Sequence, residues 1–398
     1  MYGNKRIRPV SLYLHFPFCV RKCRYCDFLS GPATEESINE YVKLLCREIE
    51  SRAVEVTDPC EAEGAKRTID TVFIGGGTPS LMTPAQLHMV MDALEKSFRI
   101  EDDAEISMEM NPGTADREKL HAFRSAGINR LSIGVQSFDD GELKLLGRIH
   151  TADQAREIFR EARKAGFYNI NIDLMSALPG QKTAAWERTL REAAELGPDH
   201  ISAYSLIIEE GTPFASMELP DLPSEEEDRE MYHFTKDFLA KNGYRRYEIS
   251  NYAREGFECR HNCGYWTGHE YLGLGLGAAS DLAGPGSSLY GERFRNPSDM
   301  DAYSSAVRGG CAQDLMRCER RVMTREDRME EFMFLGLRMA DGVSLKEFED
   351  RFGEKAEARF GPVLKRHQAQ GVIRLADRIA LTEYGMDVAN YVMADYLL

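Results

Sequence analysis

The sequence predicts an α/β protein: an open, partial (β/α)6 barrel followed by a smaller, winged-helix-like α+β module. Three observations carry that expectation. Short apolar runs rich in Val, Ile and Leu alternate with segments of helical spacing, about six times over, which is the pattern of a parallel sheet with crossover helices. Glycine, asparagine and carboxylate residues follow those runs directly, where barrels and open sheets carry their sites. Beyond about Met323 the alternation gives way to helical stretches and a hairpin.

The first strand is expected at 11–15, ahead of a cysteine-bearing loop. Glu35 to Ser51 sets Ile38, Tyr41, Val42, Leu45 and Ile49 at helical spacing, with Thr34 as N-cap and Cys46 in the core. Residues 52–68 are polar and irregular, carry Cys60 and read as a surface connection. Ile69 to Ile74 is a strand ending in Gly75-Gly76-Gly77-Thr78-Pro79, and a helix follows from about Thr83 to Phe98. Further strands are expected at Glu105–Met110, Arg130–Gly134, Asn169–Leu174 and Ile201–Ser205, with helices reaching Ala126 and covering 152–165 and 182–196. Six units are too few for a closed (β/α)8 barrel, so the sheet should stay open.

Thr324 caps a helix whose apolar face is Met329, Phe332, Met333 and Leu337, and Ser344 with Glu347 forms a capping box for Leu345 to Phe352. A helix near 356–369 and strands at Gly371–Leu375 and Arg378–Leu381 complete the order of a winged helix. The domains are expected at 1–250, 251–318 and 319–398. Winged helices commonly bind DNA, but Glu347, Glu349, Asp350, Glu354 and Glu357 acidify the second helix region. A lid over the barrel or a protein contact fits that charge better.

A formal charge of −15 over 398 residues repels phosphate backbones and argues against nucleic acid as a partner. No window approaches the ~20 apolar residues of a membrane span, and the start MYGNKRIRPV lacks an apolar signal-peptide core. Nine cysteines, an odd number in a chain this long, do not form a disulfide framework; a reduced, cytoplasmic protein is expected.

The chemistry centres on Leu12 to Ser30, LYLHFPFCVRKCRYCDFLS, where Cys19, Cys23 and Cys26 are separated by three and then two residues. Three thiolates can hold a [4Fe-4S] cluster and leave its fourth iron without a protein ligand, whereas an electron-transfer site normally takes four. That iron is open to a substrate. Arg21, Lys22 and Arg24 should favour the thiolate form. The competing reading is a zinc site completed by His15 or His261, although structural zinc sites usually bring their cysteines in separated pairs. Glycines after the second strand leave no Cβ in the path of a ligand. Glu109, Asn111, Gln136 and Asp173, with Arg148 in the loop after Gln136, fall at the same end of successive units and form a candidate site.

With Tyr25 before its third cysteine, the loop resembles the signature of the radical S-adenosylmethionine (SAM) superfamily. The resemblance implies that the open iron chelates the amino and carboxylate groups of SAM, and that an electron from the cluster cleaves SAM to a 5′-deoxyadenosyl radical. Over nearly the whole chain the likeness narrows. LYLHFPFCVRKCRYCDF, FIGGGTPS, EMNPGT, RLSIGVQSF, LLGRIH, NIDLMSALPGQ, EISNYA and HNCGYW together resemble the HemN/HemW group, which covers oxygen-independent coproporphyrinogen III oxidase and HemW-type heme chaperones. Membership would imply a partial radical SAM barrel with a winged-helix-like C-terminal domain. It would also imply cluster ligation by Cys19, Cys23 and Cys26, and SAM contacts at Tyr13, Tyr25, Gly76, Gly77, Thr78, Glu109, Gln136, Arg148 and Asp173.

A C-x3-C-x2-C-x-C pattern and an N-terminal extension mark the oxidase branch; here the fourth cysteine position is Phe28, and 18 residues precede Cys19. His261-Asn262-Cys263-Gly264-Tyr265-Trp266 fits the HNxxYW motif of the chaperone branch, which implies heme binding through His261. An imidazole flanked by Tyr265 and Trp266 could ligate heme iron while the rings cover the porphyrin. The plainer reading is a histidine satisfied by hydrogen bonds in a core loop. Cys259 and Cys263 are alternative thiolate ligands. Tyr271 to Ser280 is glycine-dense, lacks the βαβ context of a dinucleotide site, and is expected as a tight strand and turn near the barrel mouth.

The expected function is that of a heme-binding radical SAM protein with a [4Fe-4S] cluster and SAM, which delivers heme to an acceptor protein and takes electrons from an unidentified donor. The alternative is oxidative decarboxylation of coproporphyrinogen III to protoporphyrinogen IX. Radical methylation of RNA is disfavoured by the charge.

Overall fold

The computed structural model describes residues 9–56, 67–282 and 290–397; of the expected surface connection, residues 57–66 with Cys60 lie outside it. Six strands lie parallel and in chain order at the centre of one twelve-stranded sheet: β1 (Val10–Phe16), β2 (Thr68–Gly76), β3 (Arg99–Met110), β4 (Arg130–Gln136), β5 (Asn169–Ser176) and β6 (His200–Ser205). Helices Glu35–Arg52, Pro84–Ser97, Arg117–Ser125, Ala152–Lys164 and Thr183–Leu196 make the crossovers. Thr34, Thr83, Asp116 and Thr151 cap the first four of them by accepting backbone N–H groups, so side-chain chemistry fixes where each helix starts.

β1 and β6 do not pair. Outside β6 lie β7 (Arg245–Arg246) and β8 (Asn251–Ala253), with β8 antiparallel to β6. Outside β1, β9 (Tyr271–Leu274) runs parallel to it, and β10 (Ala279–Leu282), β11 (Glu292–Arg295) and β12 (Cys318–Val322) continue antiparallel. The result is a partial (β/α)6 barrel, open between its edges.

Strand alternation sorts the side chains. Leu12, Leu14, Val72, Ile74, Met108, Ile133 and Ile172 belong to the apolar core that includes the helices. Their strand neighbours Ser11, Thr71, Ser132, Asn171 and Asp173 turn to the other face and bond one another across strands. The glycine-dense stretch after β9 is tied down from below by Glu48. This fully buried carboxylate accepts from Arg52 Nη1 at 2.8 Å, Gly275 N at 2.7 Å, Asn296 Nδ2 at 2.7 Å and Tyr303 Oη at 2.7 Å. A buried charge so fully met by donors is tolerated; the same charge with a partner removed is not.

A second apolar core runs from Met329 to Tyr396. It is built by helices Arg325–Gly336, Leu345–Phe352 and Ala356–Ala369 around a small sheet in which β15 (Arg378–Leu381) lies between β13 (Val343–Ser344) and β14 (Ile373–Leu375). This is the winged-helix order, with β13 added to the expected hairpin. Thr324 and Ser344 cap the first two helices as their sequence suggested. The module leans on the barrel through Glu383, which meets Lys236 at 3.0 Å and Arg246 at 3.3 Å, and through Asp387, which meets His233.

Several strand boundaries differ from the sequence reading, two of them for a visible reason. β3 begins at Arg99 rather than Glu105, because Arg99 and Ile100 pair with Thr68 and Ile69 of β2 ahead of a register shift. β14 is shorter than Gly371–Leu375, because Gly371 takes a φ of +71° in the preceding turn.

Candidate functional site

Cys19, Cys23 and Cys26 line one cavity of about 260 Å3 at the carboxyl ends of the parallel strands, with Tyr25, Gly76, Gly77, Glu109, Asn111, Gln136, Arg148 and Asp173. The loop that carries the cysteines is closed at its base, where Cys19 N donates to Gly31 O at 2.9 Å and Gly31 N to Pro17 O at 3.0 Å. Its far side docks on the end of the helix Asp140–Leu146: Arg24 N bonds Leu146 O at 3.0 Å, Arg24 Nη1 bonds Leu145 O at 3.2 Å and Arg21 Nη2 bonds Gly147 O at 2.7 Å. Guanidinium groups here satisfy the carbonyls of a helix C-terminus. Arg21 and Arg24 therefore fasten the loop, and Arg21 lines the cavity beside the sulfurs. Burial raises the Cys26 thiol, and Lys22 is among the groups that pull it back.

The cation that reaches a sulfur is Arg148, whose Nη1 donates to Cys23 Sγ at 3.4 Å. Its Nη2 donates to Asn111 Oδ1 and to Gly134 O, both at 2.5 Å, while its buried Nε has no hydrogen-bond partner among the described residues. Gln136, beside it, has a φ of 70° at a register shift between β4 and β5. A non-glycine residue in the left-handed region at a strand end is stored strain, and it re-aims the carboxamide.

The glycine loop is required first by the protein itself. A Cβ on Gly76, whose φ is +112°, would stand 2.5 Å from the His15 ring, and one on Gly77 would stand 2.6 Å from Phe18 O. Gly76 N then donates to Glu109 Oε2 at 2.9 Å. Burial pushes the Glu109 carboxyl up to about 8, and neighbouring Asp173 pushes the same way. Asp173 is itself raised by burial, against hydrogen bonds from Asn171, Ser132 and Ser202. Two half-buried carboxyls held high in this way would ionise on meeting a cationic ligand group.

Two residues expected at this site stand behind its wall. Thr78 Oγ1 donates to Cys19 Sγ at 3.5 Å and accepts from Asn111 Nδ2 at 2.9 Å. The Tyr13 hydroxyl is 2.9 Å from His15 Nδ1. Phe28, at the fourth cysteine position of the oxidase pattern, is 60% exposed and lines the cavity. Three soft sulfurs around one space are a donor set that fits a cluster held at three corners.

His261 lies elsewhere, at the Thr71 end of β2. It is 1% exposed, with Nδ1 2.8 Å from Thr71 Oγ1 and Nε2 2.9 Å from the Tyr265 hydroxyl. Its ring stacks on Phe73, and burial lowers its pKa to about 3. Glu105 caps its helix, accepting from Arg260 N at 2.9 Å and His261 N at 3.2 Å. Burial also raises Cys259 far above the usual thiol range and Cys263 up to about 12, so both are held as thiols.

Beneath the cavity lies a polar ladder that the sequence reading did not single out. Asn171 Nδ2 donates to Ser132 Oγ at 2.7 Å and Asp173 Oδ1 at 2.8 Å, and His200 joins Asn171 Oδ1 at 2.7 Å and Tyr247 Oη at 2.8 Å. Its signal was the period of two in Asn169-Ile-Asn171-Ile-Asp173.

A parallel partial barrel with three thiols and two half-buried carboxyls around one cavity at its mouth is the architecture of a radical SAM protein, and residues 13–193 match the Radical SAM superfamily. Residues 323–388 match the HemN C-terminal domain. The chain is 35% identical over 395 residues to the heme chaperone HemW of Lactococcus lactis subsp. lactis, with 98% of each chain covered. It is likewise 35% identical over 395 residues to the heme chaperone HemW of Escherichia coli K12, covering 98% of this chain and 99% of that one. Among solved structures it resembles coproporphyrinogen III oxidase (HemN) of Escherichia coli, with a TM-score of 0.83, 25% identity, and coverage of 98% of this chain and 90% of the other. The chain belongs to the HemW family of heme chaperones.

Proposed function

We propose that this chain holds a [4Fe-4S] cluster on Cys19, Cys23 and Cys26, binds SAM in the cavity behind it, and carries heme to an acceptor protein in the cytoplasm. The observation that supports the cofactor assignment best is that the three thiols share one cavity with Glu109, Gln136, Arg148 and Asp173. When bound, the pair would supply one-electron chemistry at the sulfonium. The protein's part is positional. Arg148 fixes Cys23 relative to Asn111, the Gly76–Gly77 backbone admits a close ligand, and the Glu109 and Asp173 carboxyls offer acceptors to an ammonium or hydroxyl group. Heme carriage rests on family membership. Ligation by His261 would require Nε2 to leave the Tyr265 hydroxyl. No helix among the described residues is long and apolar enough to cross a membrane.

The likeness to HemN over 98% of the chain favours a second reading, coproporphyrinogen III decarboxylation. Anaerobic reconstitution followed by two assays separates the readings. Stoichiometric heme uptake without porphyrinogen turnover is the expected result. SAM-dependent conversion of coproporphyrinogen III would replace the chaperone reading.

A further inference from the structure

A second cavity, of about 680 Å3, opens between β6, the helix Glu225–Lys241 and the C-terminal helices Glu383–Asp387 and Ala389–Ala394. Tyr204 lines both this space and the cluster cavity, so the two share a wall. The volume falls within the roughly 300–1,000 Å3 of small-molecule sites. Trp186, Tyr204, Tyr232, Ile249 and Met386 give it an aromatic and aliphatic lining.

Two cations face the same space. Arg229 is exposed and has no hydrogen-bond or ion-pair partner among the described residues. Arg338 has a buried Nε with no hydrogen-bond partner among them, and its Nη2 approaches the buried Glu248 only to 3.5 Å. The acids nearby are placed differently. Asp228 accepts from Ser205 Oγ at 2.7 Å, Asp387 meets His233 Nε2 at 3.1 Å, and Glu225 is exposed at the start of its helix.

Arg338 is backed by the face of Trp266, whose ring centroid is 4.3 Å from the guanidinium carbon. Trp266 ends the HNCGYW segment. That segment thus touches the cavity's Arg338 through its tryptophan, while its histidine is enclosed by Thr71 and Tyr265.

We infer that heme, on the heme-carrying reading above, sits in this cavity between barrel and C-terminal module. Its carboxylates meet Arg229 and Arg338, its ring lies against the aromatic wall, and Trp266 acts as a positioning residue for Arg338. A ligand with a broad apolar face and anionic groups at its edge satisfies the lining and the two underused cations together.

The test titrates heme, and heme dimethyl ester, into the reconstituted full-length protein by Soret absorbance, with iron content and circular dichroism as folding controls. Ser205→Trp fills the cavity from an exposed position, and Arg229→Glu reverses an exposed charge. Each should weaken heme binding by about tenfold or more. Wild type should prefer heme to the ester, and Arg229→Glu should reduce that preference. Trp266→Ala should weaken binding and Trp266→Tyr, which keeps an aromatic face, should restore it, while His261→Ala changes affinity less than twofold, or about 0.4 kcal/mol. Wild-type affinity in both Ser205→Trp and Arg229→Glu, or loss of binding in His261→Ala alone, would overturn the placement and leave heme carriage standing. Absence of heme uptake by wild type would remove the carriage reading itself.

Discussion

Arg148 and Cys23 are in direct contact, guanidinium Nη1 to sulfur at 3.4 Å, and the same guanidinium bonds Asn111 Oδ1 and Gly134 O. One side chain therefore sets the cysteine loop against the ends of two strands. Arg148→Met keeps all three sulfurs but frees the loop from the strands. Cluster iron should stay near the wild-type level while SAM affinity, measured by equilibrium dialysis, falls about tenfold or more. Unchanged affinity would show that the contact is incidental.

The three thiols differ from the other cysteines in sharing a cavity. Replacing Cys19, Cys23 or Cys26 singly with Ala should abolish most iron and sulfide uptake on reconstitution. Cys46→Ala and Cys263→Ala should leave both at wild-type levels. Equal loss in either group would contradict the assignment.

Glycine substitutions separate close approach from loop flexibility. A Cβ on Gly77 meets Phe18 O, a backbone atom with little freedom to move, and one on Gly76 adds a φ of +112° to a clash with the His15 ring. Gly113 has a φ of +84° but nothing within 4 Å of its Cβ. Gly113→Ala should cost about 1 kcal/mol and Gly76→Ala about 3 kcal/mol or more, with Gly77→Ala also above Gly113→Ala, read from urea unfolding of the apoprotein. Equal losses would mean that conformation, not contact, sets the need for glycine here.

The barrel was legible because its strands are buried on both faces along most of their length and read as apolar runs: Asn169–Leu174 became Asn169–Ser176 and Ile201–Ser205 became His200–Ser205. The site was legible where residue type and strand end coincide, as at Glu109 and Asp173. β11 and β12 escaped, because Glu292–Arg295 and Cys318–Val322 are short, charge-rich edge strands whose pairing is decided by tertiary contact. Arg130 escaped for another reason: it sits at the start of a strand, as surface arginines do, yet is 2% exposed in the barrel interior. The enclosure of His261 depends on Thr71, 190 residues away, which no local pattern announces.

Glu48 offers a test of buried-charge accounting. Removing its carboxylate leaves buried Arg52, 1% exposed, with Glu55 and Asn296 Oδ1 at 2.8 Å and Gly273 O at 3.0 Å. It also unpairs Asn296 Nδ2, the Tyr303 hydroxyl and the turn at Gly275 from their shared acceptor. Glu48→Ala should destabilise the apoprotein by about 3–5 kcal/mol in urea unfolding. Glu40→Ala, which breaks the solvent-exposed pair with Lys43 at 2.7 Å, should leave the unfolding midpoint unchanged. Equal effects would argue that Glu48 is dispensable to the fold.

His261 should make the fold acid-sensitive. Burial lowers its pKa from 6.5 to about 3, with His269 and Arg130 adding to the fall and Asp70 opposing it. Between those values the unfolded chain binds a proton that the folded chain refuses. The stabilisation is therefore complete above about pH 6.5 and is lost as pH falls toward 3, at about 1.4 kcal/mol per pH unit for this one group. His150, lowered to about 4, and His200, also lowered by burial, add slopes of the same sign. His261→Asn removes one titrating group, so its unfolding free energy from about pH 6 to about pH 4.5 should fall less steeply than that of the wild type by about 1.4 kcal/mol per unit. Parallel slopes would mean that His261 takes up its proton in the folded chain, which the closed shell of Thr71, Phe73 and Tyr265 is built to prevent.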